Sequence, residues 1–127
     1  MQIVLTWIVL GIIVLVVLTQ FRGNYPSLSA AQAKEFIEKQ EPLVLDVRSE
    51  AEQQSGVITG ATRIPLPLIK QRLAELPRER PVLVYCASGI RSRMAAGILK
   101  AAGLAVFNLS GGISAWRSVG YPLSRPR

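Results

Sequence analysis

The sequence predicts an α/β domain with a parallel sheet, preceded by one separate apolar helix. Roughly a hundred residues after position 26 alternate apolar runs with amphipathic stretches, as expected when strands and helices follow one another. The apolar runs in this part do not alternate with polar residues, which is typical of strands that are covered on both faces. The longest apolar run lies at the amino terminus, outside this pattern.

The composition limits the chain to one domain and narrows its chemistry. A chain of 127 residues can form one ordinary core and a short appendage. It has one cysteine, Cys86, and no histidine. An intramolecular disulfide, an all-cysteine zinc site, a His-bearing metal site and a Cys-His dyad are therefore excluded. We expect no metal and no cofactor.

Residues 1–21 are predicted to form a transmembrane anchor. No charged side chain occurs in this stretch, and a helix of that length would span about 31 Å, close to the hydrocarbon core of about 30 Å. A cleavable secretory signal is the competing interpretation, but the segment lacks a basic start and a small-residue cleavage site. A buried core helix is disfavoured because the run is apolar on every face.

The distribution of charge predicts the side of the membrane and the partners. All 15 Lys and Arg residues lie at or after Arg22, and the positive-inside tendency then gives a single-pass protein whose domain faces the cytoplasm. The net charge of +7 also raises nucleic-acid binding, but the basic residues are scattered and have no aromatic platform. We therefore expect contact with the membrane through residues 1–21 and none with nucleic acid.

The predicted organisation is an anchor over residues 1–21, a linker over 22–26 and one domain over 27–127. Apolar runs in the domain predict four strands, at residues 43–47, 61–66, 82–85 and 105–109. Strands of this kind, separated by helical segments, favour a parallel sheet.

Three helices are predicted between these strands. The first opens with a capping box at Ser29 and Gln32, the second at Pro67, and the third covers residues 92–102, with Gly103 as its cap. Their apolar faces are expected to consist of Ala33, Phe36 and Ile37 in the first helix, Ile69, Leu73 and Leu76 in the second, and Met94, Ile98 and Leu99 in the third.

The residues after the strand at 82–85 carry the most chemistry. The segment CASGIR runs from Cys86 to Arg91 at the carboxyl edge of the sheet, where open α/β sheets bind ligands. Gly89 permits a positive φ, and the backbone N–H groups after the cysteine can form an anion-binding nest. The positive end of the next helix and a nearby guanidinium both favour a thiolate. We therefore predict a nucleophile at Cys86 rather than a small buried apolar residue, which is the commoner fate of a lone cysteine.

The order of four segments resembles that of the rhodanese homology domain family. The segments are LDVRSEAE at 45–52, GVITGATRIPL at 56–66, VYCASGIRS at 84–92 and LSGGISAWRSVGYPL at 109–123. The resemblance covers residues 24–124 and implies a five-stranded parallel sheet flanked by helices. It also implies a sulfurtransferase, in which Cys86 takes sulfur from thiosulfate, a persulfide or a polysulfide and passes it to a nucleophilic acceptor. Small molecules or proteins would be the donor and the acceptor.

The same resemblance assigns the residues of the site. Cys86 is the catalytic residue, and Asp46 and Arg48 match an Asp-x-Arg element with a supporting role, for which a structural ion pair is an equal candidate. Trp116 is expected to fill the core. The loop that binds the substrate consists of Ala87, Ser88, Gly89, Ile90, Arg91 and Ser92.

Two positions depart from the family pattern. Val57 stands where many members have histidine, and this change is expected to affect local hydrogen bonding. Ala87 stands where many members have arginine, so the donor site lacks one positive charge. A poorer fit for thiosulfate follows from this second departure.

Other functions fit the sequence less well. A cysteine phosphatase or arsenate reductase needs Cys-x5-Arg to surround its oxyanion, whereas Arg91 follows Cys86 as Cys-x4-Arg. A non-catalytic or carrier-type, membrane-tethered binding module is the alternative to an enzyme, because folds are often reused without their chemistry. The intact loop argues against that alternative, since a degenerate module often lacks the thiol.

Overall fold

The computed structural model of the chain describes residues 1–21 and 25–126, with residues 14–21 described in their backbone only. Its helices are α1 (Gln2–Phe21), α2 (Ala30–Gln40), α3 (Glu50–Gln53), α4 (Ile90–Ala101) and α5 (Gly112–Ser118). Its strands are β1 (Ser27–Leu28), β2 (Leu43–Asp46), β3 (Val57–Ile58), β4 (Thr62–Arg63), β5 (Val82–Tyr85), β6 (Val106–Leu109) and β7 (Leu123–Ser124).

Five of these strands form one parallel sheet in the order β1-β6-β5-β2-β4. All four residues of the central strand β5 are buried, as its run of apolar residues predicts. The sheet confirms both the predicted α/β class and the five parallel strands. The strand predicted at 61–66 is limited to β4, and β6 is not the last strand, because β7 pairs antiparallel with β3.

Helices cover both faces of the sheet. On one face, α2 and α5 pack over Leu83 and Tyr85. On the other face, α4 packs over Val82 and Val84. Because successive residues of a strand point to opposite faces, Cys86, which follows β5 directly, lies on the α4 face and belongs to that apolar cluster.

The first predicted helix is confirmed as α2. Its capping box is reciprocal: the Gln32 backbone N–H donates to the Ser29 hydroxyl, and the Ser29 backbone N–H donates to the Gln32 side chain. Ala33 is buried, and Phe36 and Ile37 pack against the same cluster. The local sequence therefore predicts both the start of this helix and its buried face.

The second and third predicted helices need correction. In place of a helix from Pro67, the chain makes two short 3₁₀ turns, Leu66–Leu68 and Leu73–Glu75, and neither has a side-chain cap. Helix α4 begins at Ile90 rather than at residue 92, and Met94 is 62% exposed. The buried residues of α4 are Ser92, Ala95, Ala96 and Leu99.

The predicted membrane anchor is also corrected. The amino-terminal residues do form a helix, α1. Across residues 1–21 and 25–126, however, we find no helix with the length and apolar character needed to cross a bilayer. This finding contradicts the predicted single-pass membrane location with the domain facing the cytoplasm, and it gives no support to an anchor at 1–21 or to membrane contact through that segment. Residues 22–24 of the predicted linker lie outside the described residues.

Candidate active site

The loop after β5 encloses the only sulfhydryl group of the chain. Cys86 follows the last residue of β5, and α4 begins four residues later, at Ile90. Gly89 makes this sharp connection with a φ of 107°, in the region that favours glycine. Only 1% of the surface of Cys86 is exposed. The reacting end of any molecule that reaches this thiol must therefore be small.

Hydrogen bonds at the Cys86 sulfur affect the pKa of the thiol. The Gly89 backbone N–H donates to Cys86 Sγ at 3.1 Å, and the Ser92 hydroxyl oxygen lies 3.5 Å from it. Burial raises the pKa of the thiol, but the Ser92 side chain and the backbone N–H groups of Ser92, Gly89 and Ser88 lower it, and the net pKa lies below the ordinary value. These donors favour a thiolate, as expected for a cysteine that reacts as a nucleophile.

Backbone N–H groups of helix α5 donate hydrogen bonds to carbonyl groups of the same loop. The Ile113 backbone N–H donates to the Cys86 carbonyl at 2.9 Å, and that of Ser114 donates to the Ala87 carbonyl at 3.2 Å. Gly112 permits this approach, because a β-carbon at this position would lie 2.4 Å from the Cys86 carbonyl oxygen. Gly112, the first residue of α5, therefore lets this helix approach the loop closely.

The guanidinium of Arg91 pairs with a carboxylate from another element. Its Nη1 and Nη2 atoms donate to the two oxygens of Glu52 at 2.6 and 2.7 Å. This bidentate bond holds the pKa of the Glu52 carboxyl well below its usual range, at about 2. The Cys86 sulfur has hydrogen bonds with Gly89 and Ser92, while the pKa of Arg91 is raised by its hydrogen bond to Glu52 and also by the charge of Cys86.

Glu52 is itself fixed in place. It is the third residue of α3 and closes a capping box with Ser49, whose backbone N–H and hydroxyl both donate to Glu52 Oε1. The Arg48 side chain donates to the Glu52 backbone carbonyl at 3.2 Å. The carboxylate is thus positioned from both its side chain and its backbone.

Asp46 and Arg48 form a buried ion pair next to Glu52. Their side chains are 0% and 3% exposed, with a shortest N···O distance of 2.7 Å. The Tyr85 hydroxyl donates to Asp46 at 2.6 Å and accepts the Ile58 backbone N–H at 3.0 Å. Burial and the charge of Asp46 both raise the Tyr85 pKa, so the phenol stays protonated and keeps donating.

The other residues singled out in the sequence differ in their burial. Ala87 is half-buried, whereas Ser88 is exposed and the Ile90 side chain is 70% exposed. Trp116 is 3% exposed and packs in the core as predicted. Val57, which stands in the place of a histidine, is buried and pairs with Ser124 of β7.

Sequence reasoning missed two residues that shape the loop. Glu52 was signalled by the S-x-x-E pattern from Ser49, which predicts a capping box, and Gly112 by the glycine pair at the start of α5. Neither pattern predicts a contact with the loop, because both partners are distant in sequence. In the described ranges, no three His, Cys, Asp or Glu side chains are grouped so that they could hold a metal ion.

The sequence and the fold of this domain match those of known proteins. The chain belongs to the rhodanese-like domain family, whose model matches residues 29–119. It is 37% identical over 99 residues to a sulfurtransferase from Allochromatium vinosum, covering 77% of this chain and 92% of that one. It is 30% identical over 95 residues to the thiosulfate sulfurtransferase GlpE from Coxiella burnetii, covering 74% of this chain and 89% of the relative.

A solved structure agrees with this assignment. The rhodanese-related protein from Thermoplasma volcanium superimposes with a TM-score of 0.74 at 35% identity, over 79% of this chain and 98% of that one. The predicted family and fold are thereby confirmed.

Proposed function

We propose that this chain is a sulfurtransferase that moves sulfane sulfur from a donor to a nucleophilic acceptor through a persulfide on Cys86. The donor is thiosulfate, a persulfide or a polysulfide. The observation that carries the proposal is the enclosed thiol whose sulfur accepts the Gly89 N–H at 3.1 Å, with the Ser92 hydroxyl 3.5 Å away. These groups lower the pKa of Cys86 and so favour a thiolate without an imidazole. The activity named for the Allochromatium and Coxiella relatives supports the same chemistry.

The proposed reaction has two displacements at sulfur. In the first, the Cys86 thiolate attacks the outer sulfur of the donor and a new S–S bond forms. The S–S bond of the donor breaks, and its electron pair leaves with sulfite, in the case of thiosulfate, or with a thiolate, in the case of a persulfide. In the second, the acceptor attacks the outer sulfur of the Cys86 persulfide, and Cys86 leaves as a thiolate. The two steps need no external oxidant or reductant.

The loop donors would assist both displacements. A thiolate is the attacking group in the first step and the leaving group in the second, and the Gly89 N–H stabilises the same charge in each. The near-complete burial of Cys86 suits a donor that presents a terminal sulfur atom, because such an atom is small. Asp46 and Arg48 support the site from below as a structural ion pair.

Mass spectrometry of the intact protein tests the proposal. Incubation with thiosulfate, glutathione persulfide or inorganic polysulfide should add the mass of one sulfur atom, and cyanide or a thiol reductant should remove it. Cys86→Ser should keep the fold, because a hydroxyl occupies nearly the volume of the thiol, but it should form no adduct and give no turnover. A folded wild-type chain that gains no sulfur from any of the three donors would show the assignment to be wrong.

A further inference from the structure

The charge of the loop is neutralised by a residue outside it. Arg91 is the only charged residue from Cys86 to Ser92. Both terminal nitrogens of its guanidinium donate to the Glu52 carboxylate, at 2.6 and 2.7 Å. A bidentate pair of this kind uses the face that arginine would otherwise offer to an anion.

The pair is accessible to solvent and yet well fixed. The Arg91 and Glu52 side chains are 37% and 36% exposed, so their charges act on molecules that approach the loop. Ser49 fixes the Glu52 carboxylate through the capping box, and Arg48 holds the Glu52 backbone carbonyl. An anion that binds Arg91 must therefore compete with a carboxylate that is already in place.

We infer that Glu52 is a specificity-determining residue, which makes this site select persulfides and polysulfides of low charge over the thiosulfate dianion. The inference rests on the proposed sulfur transfer and names the donor class for it. Glu52 cancels the charge of Arg91, and Ala87 adds none, so the loop offers no net positive charge to a donor.

The charges of the donors explain the selection. Thiosulfate brings two negative charges toward a thiolate and leaves as the sulfite dianion, so it gains most from a free guanidinium. A protonated persulfide brings no charge at its reacting end. The bond from Cys86 Sγ to its outer sulfur forms as its S–S bond breaks, and one thiolate leaves with the electron pair. The reaction of this donor therefore slows little when the charge of Arg91 is neutralised.

The variant Glu52→Gln removes the charge of Glu52 while keeping a side chain that can close the capping box. Gln32 occupies the same position in the capping box of α2 and closes it with Ser29, so glutamine is compatible with such a cap in this fold. Glu50→Gln is the matched control: Glu50 lies in the same short helix and is exposed. Both variants remove one negative charge, but only one of them acts on Arg91.

The first measurement compares kcat/KM for thiosulfate and for glutathione persulfide, with cyanide as the acceptor for both. Glu52→Gln should raise kcat/KM for thiosulfate roughly tenfold, because a unit charge close to a dianion is left uncompensated. The kcat/KM for glutathione persulfide should change less than about threefold. Glu50→Gln should leave kcat/KM unchanged for both donors. An equal loss for both donors would reduce Glu52 to a loop support and overturn the inference, as would no change at all.

A double variant tests whether Glu52 acts through Arg91. The gain from Glu52→Gln should disappear in an Arg91→Gln background, because no guanidinium remains to be released. A gain that persists without Arg91 would overturn the inference.

Alkylation supplies a readout that does not depend on sulfur transfer. The ratio of the Cys86 alkylation rates with iodoacetate and with iodoacetamide reports the charge met by an incoming anion. Glu52→Gln should raise this ratio severalfold, and Glu50→Gln should not. If the ratio rises but no donor labels wild-type Cys86, the charge relation holds while the sulfurtransferase assignment and its donor class fail. If donors label Cys86 but Glu52→Gln changes neither the alkylation ratio nor the ratio of kcat/KM for the two donors, Glu52 does not determine specificity.

Discussion

Gly112 approaches the backbone of Cys86 so closely that a β-carbon on it would lie 2.4 Å from the Cys86 carbonyl oxygen. The same oxygen accepts the Ile113 N–H at 2.9 Å. The start of α5 and the loop that carries the thiol are therefore in direct backbone contact, and no side chain fits between them. A change at Gly112 acts on the loop without touching the sulfur.

Gly112→Ala should impair sulfur transfer more than folding. The new methyl group would collide with backbone atoms of Cys86 and Ala87, which must shift to make room. We expect the rate of persulfide formation to fall at least about tenfold, because displaced groups in a site cost rates of that order or more. Gly120→Ala is the control, since Gly120 also has a positive φ but no atom within 4 Å of the point where a β-carbon would lie. Equal effects of the two variants would indicate strain at φ rather than the contact with the loop.

Ser92→Ala should raise the pKa of Cys86. The Ser92 hydroxyl is one of the groups that lower this pKa, and alanine keeps the backbone donor but removes the hydroxyl. The rate of iodoacetamide alkylation against pH should therefore show a midpoint at higher pH than in the wild type. Ser88→Ala is the control, because Ser88 contributes only through its backbone. An unchanged midpoint in Ser92→Ala would contradict the role of the hydroxyl.

Arg48→Met should destabilise the fold strongly. Arg48 and Asp46 are buried, so removal of the guanidinium leaves a buried carboxylate without its partner, at a cost of about 3–5 kcal/mol. Arg72→Met removes one member of an exposed ion pair with Glu75, where about 1 kcal/mol or less is expected. Urea unfolding monitored by circular dichroism measures both values. Similar losses of unfolding free energy in the two variants would contradict a larger contribution of the buried pair to stability.

The contribution of Glu52 to stability should depend on pH. Its folded pKa of about 2 lies below the ordinary glutamate value of about 4.3, so the folded state holds the proton less tightly than the unfolded one. The stabilisation is fully present above the ordinary value and is lost as pH falls toward 2. The unfolding free energies of the wild type and Glu52→Gln should therefore differ at pH 7 and converge at low pH. Because both side chains are more than a third exposed, roughly 1 kcal/mol or less is expected. A difference that is constant from pH 7 to pH 2.5 would contradict this account.

Local patterns in the sequence predict the parts of the fold that depend on neighbouring residues. The apolar run of β5 and the capping box of α2 involve residues at most four positions apart, and both occur where predicted. The position of Cys86 at the carboxyl edge of the sheet follows from β5 alone. Met94 was misplaced because the buried face of α4 consists mainly of small residues, Ser92, Ala95 and Ala96, together with Leu99, and small residues give a weaker apolar signal than methionine.

Contacts between distant segments could not be predicted in this way. Glu52 and Arg91 are 39 residues apart, and nothing in either local pattern specifies the other as a partner. The contact of Gly112 with Cys86 likewise depends on how α5 packs beside the loop. The expectation of a membrane anchor relied on apolar composition over residues 1–21, and the structure contradicts it.

The enclosure of the thiol limits how two copies of this chain can be joined. A disulfide requires the two β-carbons to come within about 3.5–4.5 Å of each other, and a cysteine with 1% of its surface exposed cannot approach a second one in that way. Folded chains should therefore remain monomeric on a non-reducing gel after exposure to air. A covalent dimer, which can only form through the single cysteine of each chain, would then report unfolded or opened molecules and could serve to judge the quality of a preparation.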